Sequence, residues 1–340
     1  MRILCVTSVK DEAPYLVEWL AHLRALGVTD LLIFTNDCSD GSIGLLDEIS
    51  GLSWLTRVDN PYSGQKTVQW QALAAAAEHP LYKAADWVLG VDVDEFLTLS
   101  EPFDTLPALL NAAPGDAITL PWRLFGSGGH VERPAGPVTQ TYRKAAPRDI
   151  LLPGAHFFKT LYRPNAFGPP GVHRPKSGGS QAKWLDSALQ PLPGPIAADD
   201  NRINLWGHFP KAPVVQLNHY AVRSVEEFMA KRARGLPNKM SADIGLSYWV
   251  SRNFNQTTCT RIDLHHAKAS AIAEELRSAR IKALEALALE YHSAQLKKRL
   301  RTKAETELYW SLVLAGGSFA PPVGVTNAHL ARLKEAYRNG

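Results

Sequence analysis

The sequence is poor in cysteine, in long apolar runs and in charge of one sign. Three cysteines, Cys5, Cys38 and Cys259, are scattered over 340 residues. They make no zinc-ligand spacing and no disulfide framework, which points to a reducing compartment. No apolar run reaches the roughly 18 residues that a membrane-spanning helix needs, so no transmembrane segment is expected. Met1–Val6 reads as a strand, cut short by Lys10-Asp11-Glu12, and not as a signal peptide. A formal net charge of +4, with no stripe of interleaved aromatic and basic residues, excludes nucleic acid as the expected partner. There is no internal repeat and no linker long enough to part independent domains.

What is present is a globular composition with a divided charge. Hydrophobic content of 45% and charged content of 21% exclude a disordered chain. Residues 1–120 carry 6 Lys/Arg against 17 Asp/Glu, a net of −11. Residues 121–340 carry 31 against 16, a net of +15. Such a split suits either an acidic partner for the second part or one site built from both parts.

The first 120 residues alternate strand and helix signals. Strands are expected at Ile3–Val9, Leu31–Thr35, Trp54–Val58 and Trp87–Val91. Helices are expected from Pro14 to Leu26, with Gly27 as the stop, then through Ile49 and over Val68–Glu78. This order implies a mostly parallel sheet with helices on both faces. Between 121 and 220 only Ile118–Trp122, Phe157–Tyr162 and Val214–His219 stand out as strands. Gly126–Gly129 and Lys176–Ser180 read as loops. The last 120 residues read as helical, at Ser224–Arg234, at Ala242–Arg252 and from His266 to about Arg301, the last as one long or broken helix. Ile272, Leu276, Leu284, Leu287 and Tyr291 lie along one side of that last helix.

The most informative segment is Trp87–Phe96, an apolar strand that runs into Asp92-x-Asp94-Glu95. In an extended strand Asp92 and Asp94 share a face. Three carboxylates this close repel one another unless a cation is present, and hard divalent ions share such oxygens with phosphates. The segment therefore suits a Mn²⁺ or Mg²⁺ site holding a diphosphate, the alternative being a solvated acidic turn. Asp11-Glu12 follows the first strand, and Asn36, Asp37, Ser39 and Asp40 follow the second. In an open α/β sheet ligands bind at the carboxyl ends of the strands. Each of these groups alone suits helix capping; together they suit a nucleotide pocket.

The order of several motifs carries a resemblance. Lys10-Asp11-Glu12-Ala13-Pro14-Tyr15-Leu16-x-Glu18-Trp19, Asn36-Asp37-x-Ser39-Asp40-Gly41 and Asp92-Val93-Asp94-Glu95-Phe96-Leu97 resemble the family 2-type glycosyltransferases. The nearest branch is the bacterial glycosyltransferase-2-like group, similar to family 92. Trp122-x-x-Phe125-Gly126-Ser127-Gly128-Gly129-His130, Phe158-Lys159, His173-Arg174-Pro175, Asn218-His219-Tyr220 and Ser224-x-Glu226-x-Phe228-x-x-Lys231-x-x-Arg234-Gly235 extend it over residues 2–255. Asp11 and Gly128 depart from the commoner Asn and Ser. The resemblance implies a glycosyltransferase-A fold: α/β, Rossmann-like, with a mostly parallel central sheet. Residues 1–255 would form the catalytic domain, with a nucleotide-binding half (1–120) and an acceptor and diphosphate half (121–255). Residues 256–340 would form a helical extension.

It further implies a nucleotide-sugar donor, a UDP-sugar, and a divalent metal. Asp11, Glu12, Asn36, Asp37 and Gln69 would contact the nucleotide sugar. Asp92 would face the ribose or the metal, while Asp94 and His219 would hold the metal. Lys231 and Arg234, three apart on a helix, would clamp the diphosphate with Arg174. If the reaction inverts configuration, the acceptor hydroxyl needs a base, for which Glu95, His130 and Asp243 are candidates. Trp122, Phe125, Trp184 and Trp206 are candidates to stack on sugars, against the plainer reading of buried tryptophans. The acceptor would be a glycan or a lipid-linked molecule, and the place of action the cytoplasm, with the inner face of the membrane as an alternative within it. Lys297, Lys298, Arg299, Arg301 and Lys303 suit either anionic lipid or a solvated helix end. Two other functions share these residues: a phosphohydrolase using the Asp-x-Asp pair, and a non-catalytic carbohydrate-binding protein.

Overall fold

The computed structural model describes residues 1–64, 66–177, 181–235 and 244–339. The first part alternates as its apolar pattern dictates. The order is β1 (Ile3–Val9), α1 (Ala13–Leu26), β2 (Asp30–Thr35), α2 (Ser42–Ser50), β3 (Leu55–Asp59), α3 (Val68–Glu78), α4 (Pro80–Lys83) and β4 (Trp87–Gly90). There follow β5 (Glu95–Leu99), α5 (Leu106–Ala112), β6 (Ala117–Leu124), α6 (Val138–Thr141), β7 (Lys144–Ala145), β8 (Phe158–Tyr162), β9 (Trp184–Leu185), α7 (Gly194–Ala197) and β10 (Val215–His219). The remainder is α8 (Val225–Arg234), α9 (Leu246–Val250), β11 (Thr257–Thr258), α10 (Asp263–Leu276), α11 (Ala279–Arg299), α12 (Lys303–Ala315) and α13 (Val323–Asn339).

Among the described residues, nine strands form one sheet in the order β3-β2-β1-β4-β8-β6-β10-β5, with β9 beside β6. β3, β2, β1 and β4 are mutually parallel, so their carboxyl ends lie along one edge. β8 runs antiparallel to both neighbours, and β10 is parallel to β6 but antiparallel to β5. The result is an α/β fold with a large, mostly parallel sheet flanked by helices and a helical C-terminal region, consistent with the expected glycosyltransferase-A type. Apolar strands are buried on both faces because helices cover both, as parallel sheets require. α1 shows how tightly they fit. It starts at a proline in its first turn and ends at Gly27, whose φ of 95° is left-handed. A Cβ at Gly27 would come within 2.8 Å of Pro107 Cδ, so both space and backbone call for glycine.

Two expectations change and one open alternative is decided. The Asp92–Asp94 segment is not the end of a strand: β4 stops at Gly90, and the Glu95 amide bonds the Asp92 carbonyl at 2.9 Å in a tight turn that starts β5. The turn lets Asp92 and Asp94 face the same cavity while Glu95 points into the core. The helix expected at Ala242–Arg252 is described only over Leu246–Val250. The C-terminal segment expected as one long or broken helix is broken, at Arg277-Ser278, where the Ser278 hydroxyl caps α11 by accepting from the Ile281 amide at 3.2 Å. The break shifts the helical phase, so Ile272 and Leu284 pack on the core while Leu287 is exposed. Ile262, Ala273, Leu276, Ile281 and Ala288 join the same hydrophobic core as β1, β2 and α1, so the C-terminal helices cover the sheet rather than hang from it.

Candidate active site

A cavity of about 510 Å³ opens at the carboxyl ends of β1, β2 and β4. Its acidic side comes from three successive strand ends. Lys10, Glu12, Asn36, Asp92 and Asp94 line it, with Gln69 from the start of α3. Asp11 and Asp37 both sit at φ 49°, the left-handed region that Asp tolerates better than most residues. There Asp11 Oδ1 accepts the Ser39 amide at 2.6 Å and the Asp40 amide at 3.2 Å, tying the first strand end to the second. Asp11 thus braces the wall, while Asp37 is exposed beside it. Asn36 is buried, and its Oδ1 has no hydrogen-bond partner. A buried acceptor facing a cavity without a partner is costly in an empty pocket and useful with a ligand.

The basic side comes from the second part of the chain. α8 begins with a capping box, in which Ser224 and Glu227 bond each other's backbone amides, and Tyr142 donates its hydroxyl to Glu227. That fixed start aims Lys231 and Arg234 at the acidic side. Lys231 Nζ lies 2.6 Å from Asp94 Oδ2 and also donates to the Ala221 carbonyl at 3.0 Å. Arg234 pairs with Glu12 and donates to the Lys10 carbonyl at 2.9 Å. Arg223, at φ 56°, is buried with its guanidinium 3.6 Å from the centre of the Tyr15 ring. Arg252 and Tyr248 complete this side, their groups stacked at 3.8 Å. Burial pushes the Asp94 pKa up, but Lys231, His219 and Arg223 outweigh it and hold the carboxyl well below the usual range. Burial raises Glu12 despite Arg234.

At the cavity floor a second group of charges is locked together. Lys159, the second residue of β8, places Nζ 3.1 Å from Asp92 Oδ2 and 3.5 Å from Glu95 Oε2. Burial disfavours the Lys159 charge, but Asp92 and Glu95 raise its pKa above the usual value. Gln69 Nε2 donates to Asp92 Oδ1 at 3.1 Å. Glu95 is wholly buried: Oε1 accepts from Trp122 Nε1 at 2.7 Å and Oε2 from the Asp92 amide at 2.9 Å. Burial, with Asp92 and Asp94 nearby, pushes its pKa up to about 8. Trp122 in turn packs on His219, ring centres 4.2 Å apart.

The cavity therefore gathers Glu12, Asn36, Gln69, Asp92, Asp94, His219, Lys231 and Arg234. It does not gather all the expected residues. Glu95 is under the floor, not in the wall. His130 is exposed on its loop and packs edge-on against Tyr142 at 5.7 Å. Arg174 is buried elsewhere, donating to the carbonyls of Ile196, Ala197 and Arg202 and stacking 4.2 Å from the centre of the Trp184 ring. Asp243 lies outside the described residues. Trp184, Phe125 and Trp206 do not line the cavity; Trp122, Trp70 and Phe157 do. Residues without an assigned role in the sequence also enter: Lys159, Lys10, Arg252, His173 and Tyr248. Lys159 had a readable signal, a lone lysine inside the buried strand Phe158–Tyr162, where an unpaired charge would not be tolerated.

The donor set can be tested against a divalent cation. Among the described residues no group of three or more His, Cys, Asp or Glu side chains is arranged to hold an ion. Asp94 and His219 do converge, with His219 Nε2 3.7 Å from Asp94 Oδ2. Burial lowers the His219 pKa, so the ring is neutral at pH 7 and its nitrogen lone pair is available. One ionised carboxylate and one neutral imidazole suit Mn²⁺ or Mg²⁺ bound mainly through substrate phosphates and water.

The family model for glycosyltransferase family 92 matches residues 2–176, which include the acidic wall and Lys159. A glycosyltransferase family 92 protein of Oryza sativa subsp. japonica is 26% identical over 173 residues, covering 49% of this chain and 28% of the rice protein. The chain thus spans less than a third of the length of that relative. Among solved structures, HddC from Yersinia pseudotuberculosis is 10% identical with a TM-score of 0.27, covering 52% of this chain and 75% of that one. A likeness that faint carries no argument. The family match covers half of the chain, and on it the chain belongs to glycosyltransferase family 92.

Proposed function

We propose that the cavity binds a nucleotide sugar, a UDP-sugar, and transfers the sugar to a hydroxyl of a glycan or lipid-linked acceptor. The observation that carries this reading is the opposition of charges across one cavity. Glu12, Asn36, Asp92 and Asp94 lie on the strand-end side, and Lys231, Arg234 and Arg252 on the other. A nucleoside diphosphate fits both sides. Its base and ribose offer donors to Asn36 and Glu12, and its phosphates match the cations. Asp94 and His219 would hold a divalent cation, which when bound supplies charge to stabilise the leaving diphosphate.

In this reading Lys231 exchanges its contact with Asp94 for diphosphate oxygens, and Arg234 does the same from its contact with Glu12. Both side chains are only 12% exposed, and cations fixed in such surroundings act strongly on developing negative charge. Glu95 acts as a positioning residue: it holds Trp122 under His219 and shares Lys159 with Asp92. Trp70, half exposed at the rim, and Phe157 offer flat apolar faces to a sugar ring. A thermal-shift screen of nucleoside diphosphates and nucleotide sugars, with Mn²⁺ and with chelator, tests the reading. Metal-dependent stabilisation by one base is expected. Stabilisation by none overturns it, and turnover of phosphate monoesters without a nucleotide would favour the phosphohydrolase.

A further inference from the structure

The C-terminal helices present a surface that the cavity does not use. α12 packs its Leu308, Tyr309, Leu312 and Val313 side against the cluster around Phe228 and Trp249. Its opposite side carries Trp310, 59% exposed, and Leu314, 68% exposed, one turn apart. Phe319, 80% exposed, follows in the next loop. Isolated exposed apolar residues need no explanation, but a tryptophan, a leucine and a phenylalanine exposed within ten residues of chain do.

The chain just before this helix is basic. The last turn of α11 and the turn after it bear Lys297, Lys298 and Arg301, all exposed and without an ion pair among the described residues. Arg299 is tied to Glu305 at 3.1 Å, and Lys303 to Glu307 at 3.6 Å, which neutralises the carboxylate nearest Trp310. Cations at the end of α11 also suit its dipole, but the dipole explains none of the exposed aromatic residues that follow. Net positive charge beside an exposed tryptophan is the pattern of a surface that meets a lipid interface, where an indole sits at headgroup depth. No described helix is long and apolar enough to cross a membrane, so any such contact is made from one side. A second copy of the chain is a poorer occupant, because a two-fold contact would set this basic turn near its own image.

We propose that the flank formed by the α11–α12 turn and the outer side of α12 docks on an anionic lipid bilayer, with Trp310, Leu314 and Phe319 inserted at the interface. The test is sedimentation of the full chain with vesicles of phosphatidylcholine alone or mixed with phosphatidylglycerol. Binding is expected only with phosphatidylglycerol and should fall as salt rises. Each basic residue near such a surface is worth about fivefold, so Lys297→Gln, Lys298→Gln and Arg301→Gln together should weaken binding about a hundredfold. Trp310→Ala, Leu314→Ala and Phe319→Ala together should abolish the part that survives high salt. UDP binding in the same samples should be unchanged, which separates lost docking from a disturbed cavity. Equal binding to both vesicle types, or parental binding by both variants, overturns the proposal. So does an absence of vesicle binding, with or without a concentration-dependent dimer that the apolar variant loses.

Discussion

Lys231→Met removes one half of a buried pair and leaves the other. Lys231 Nζ and Asp94 Oδ2 are 2.6 Å apart, with side chains only 12% and 10% exposed. At an effective dielectric near 20 their attraction is about 6 kcal/mol before desolvation is counted. Breaking such a pair typically costs about 3–5 kcal/mol, because a buried charge is left behind. His219 and Arg223 still act on Asp94, so the lower end, about 3 kcal/mol, is expected here. The pH dependence sets this cost apart from a packing defect. In the parent the Asp94 pKa lies well below the usual range. Its stabilisation is therefore present above the unfolded value of about 3.9 and lost as pH falls through the folded value. In the variant the largest lowering influence is gone, so that pKa rises from its parental position and less of the stabilisation remains at neutral pH. The gap between the two proteins in urea unfolding should thus widen from acid to neutral pH. Adding Asp94→Asn to Lys231→Met should recover part of the loss. A gap under about 1 kcal/mol that does not change with pH would refute the reasoning and rank the pair with ordinary surface pairs.

Other outcomes follow from the same contacts. Glu95 is buried with its pKa raised to about 8, so its contribution is fully present below its unfolded value of about 4.3 and declines as pH rises through the folded one. Glu95→Gln should flatten the stability profile, gaining about 3 kcal/mol on the parent between roughly pH 5 and 8 in urea unfolding. Asp40 accepts from the Ala13 amide and the Ser42 amide, each at 3.0 Å, and from His292 Nε2 at 2.9 Å. Asp40→Ala should therefore cost about 3 kcal/mol by denaturant unfolding, against about 1 kcal/mol for His292→Ala, which removes only the tie from α11.

Much of this site was readable because it is local. α3 begins and ends where its alanine-rich pattern says, at Val68 and Glu78. Parallel pairing then carries Glu12, Asn36 and Asp92 to one edge without further information. The division of charge resolves into the two sides of one cavity, although Lys10 and Lys159 cross the simple boundary. What escaped depends on long-range contact. That Glu95 turns inward follows from the tight turn after Asp92 and from a strand pairing with β10, residues apart by more than a hundred. Arg174 and Lys231 are equally basic in sequence, yet one is tied to the carbonyls of Ile196, Ala197 and Arg202 away from the cavity and the other to Asp94 within it. Nothing near either residue distinguishes them. The break at Ser278 had a local sign, a serine that can cap a helix, but its effect on Leu287 is a matter of phase.

Calorimetric titration of UDP into the chain with Mn²⁺ and with chelator, repeated on Asp94→Asn, tests the central claim most directly. Binding that requires Mn²⁺ and is lost in Asp94→Asn is expected. Equal affinity in chelator, or unchanged affinity in the variant, would contradict the account of the cavity as a metal-assisted nucleotide-sugar site.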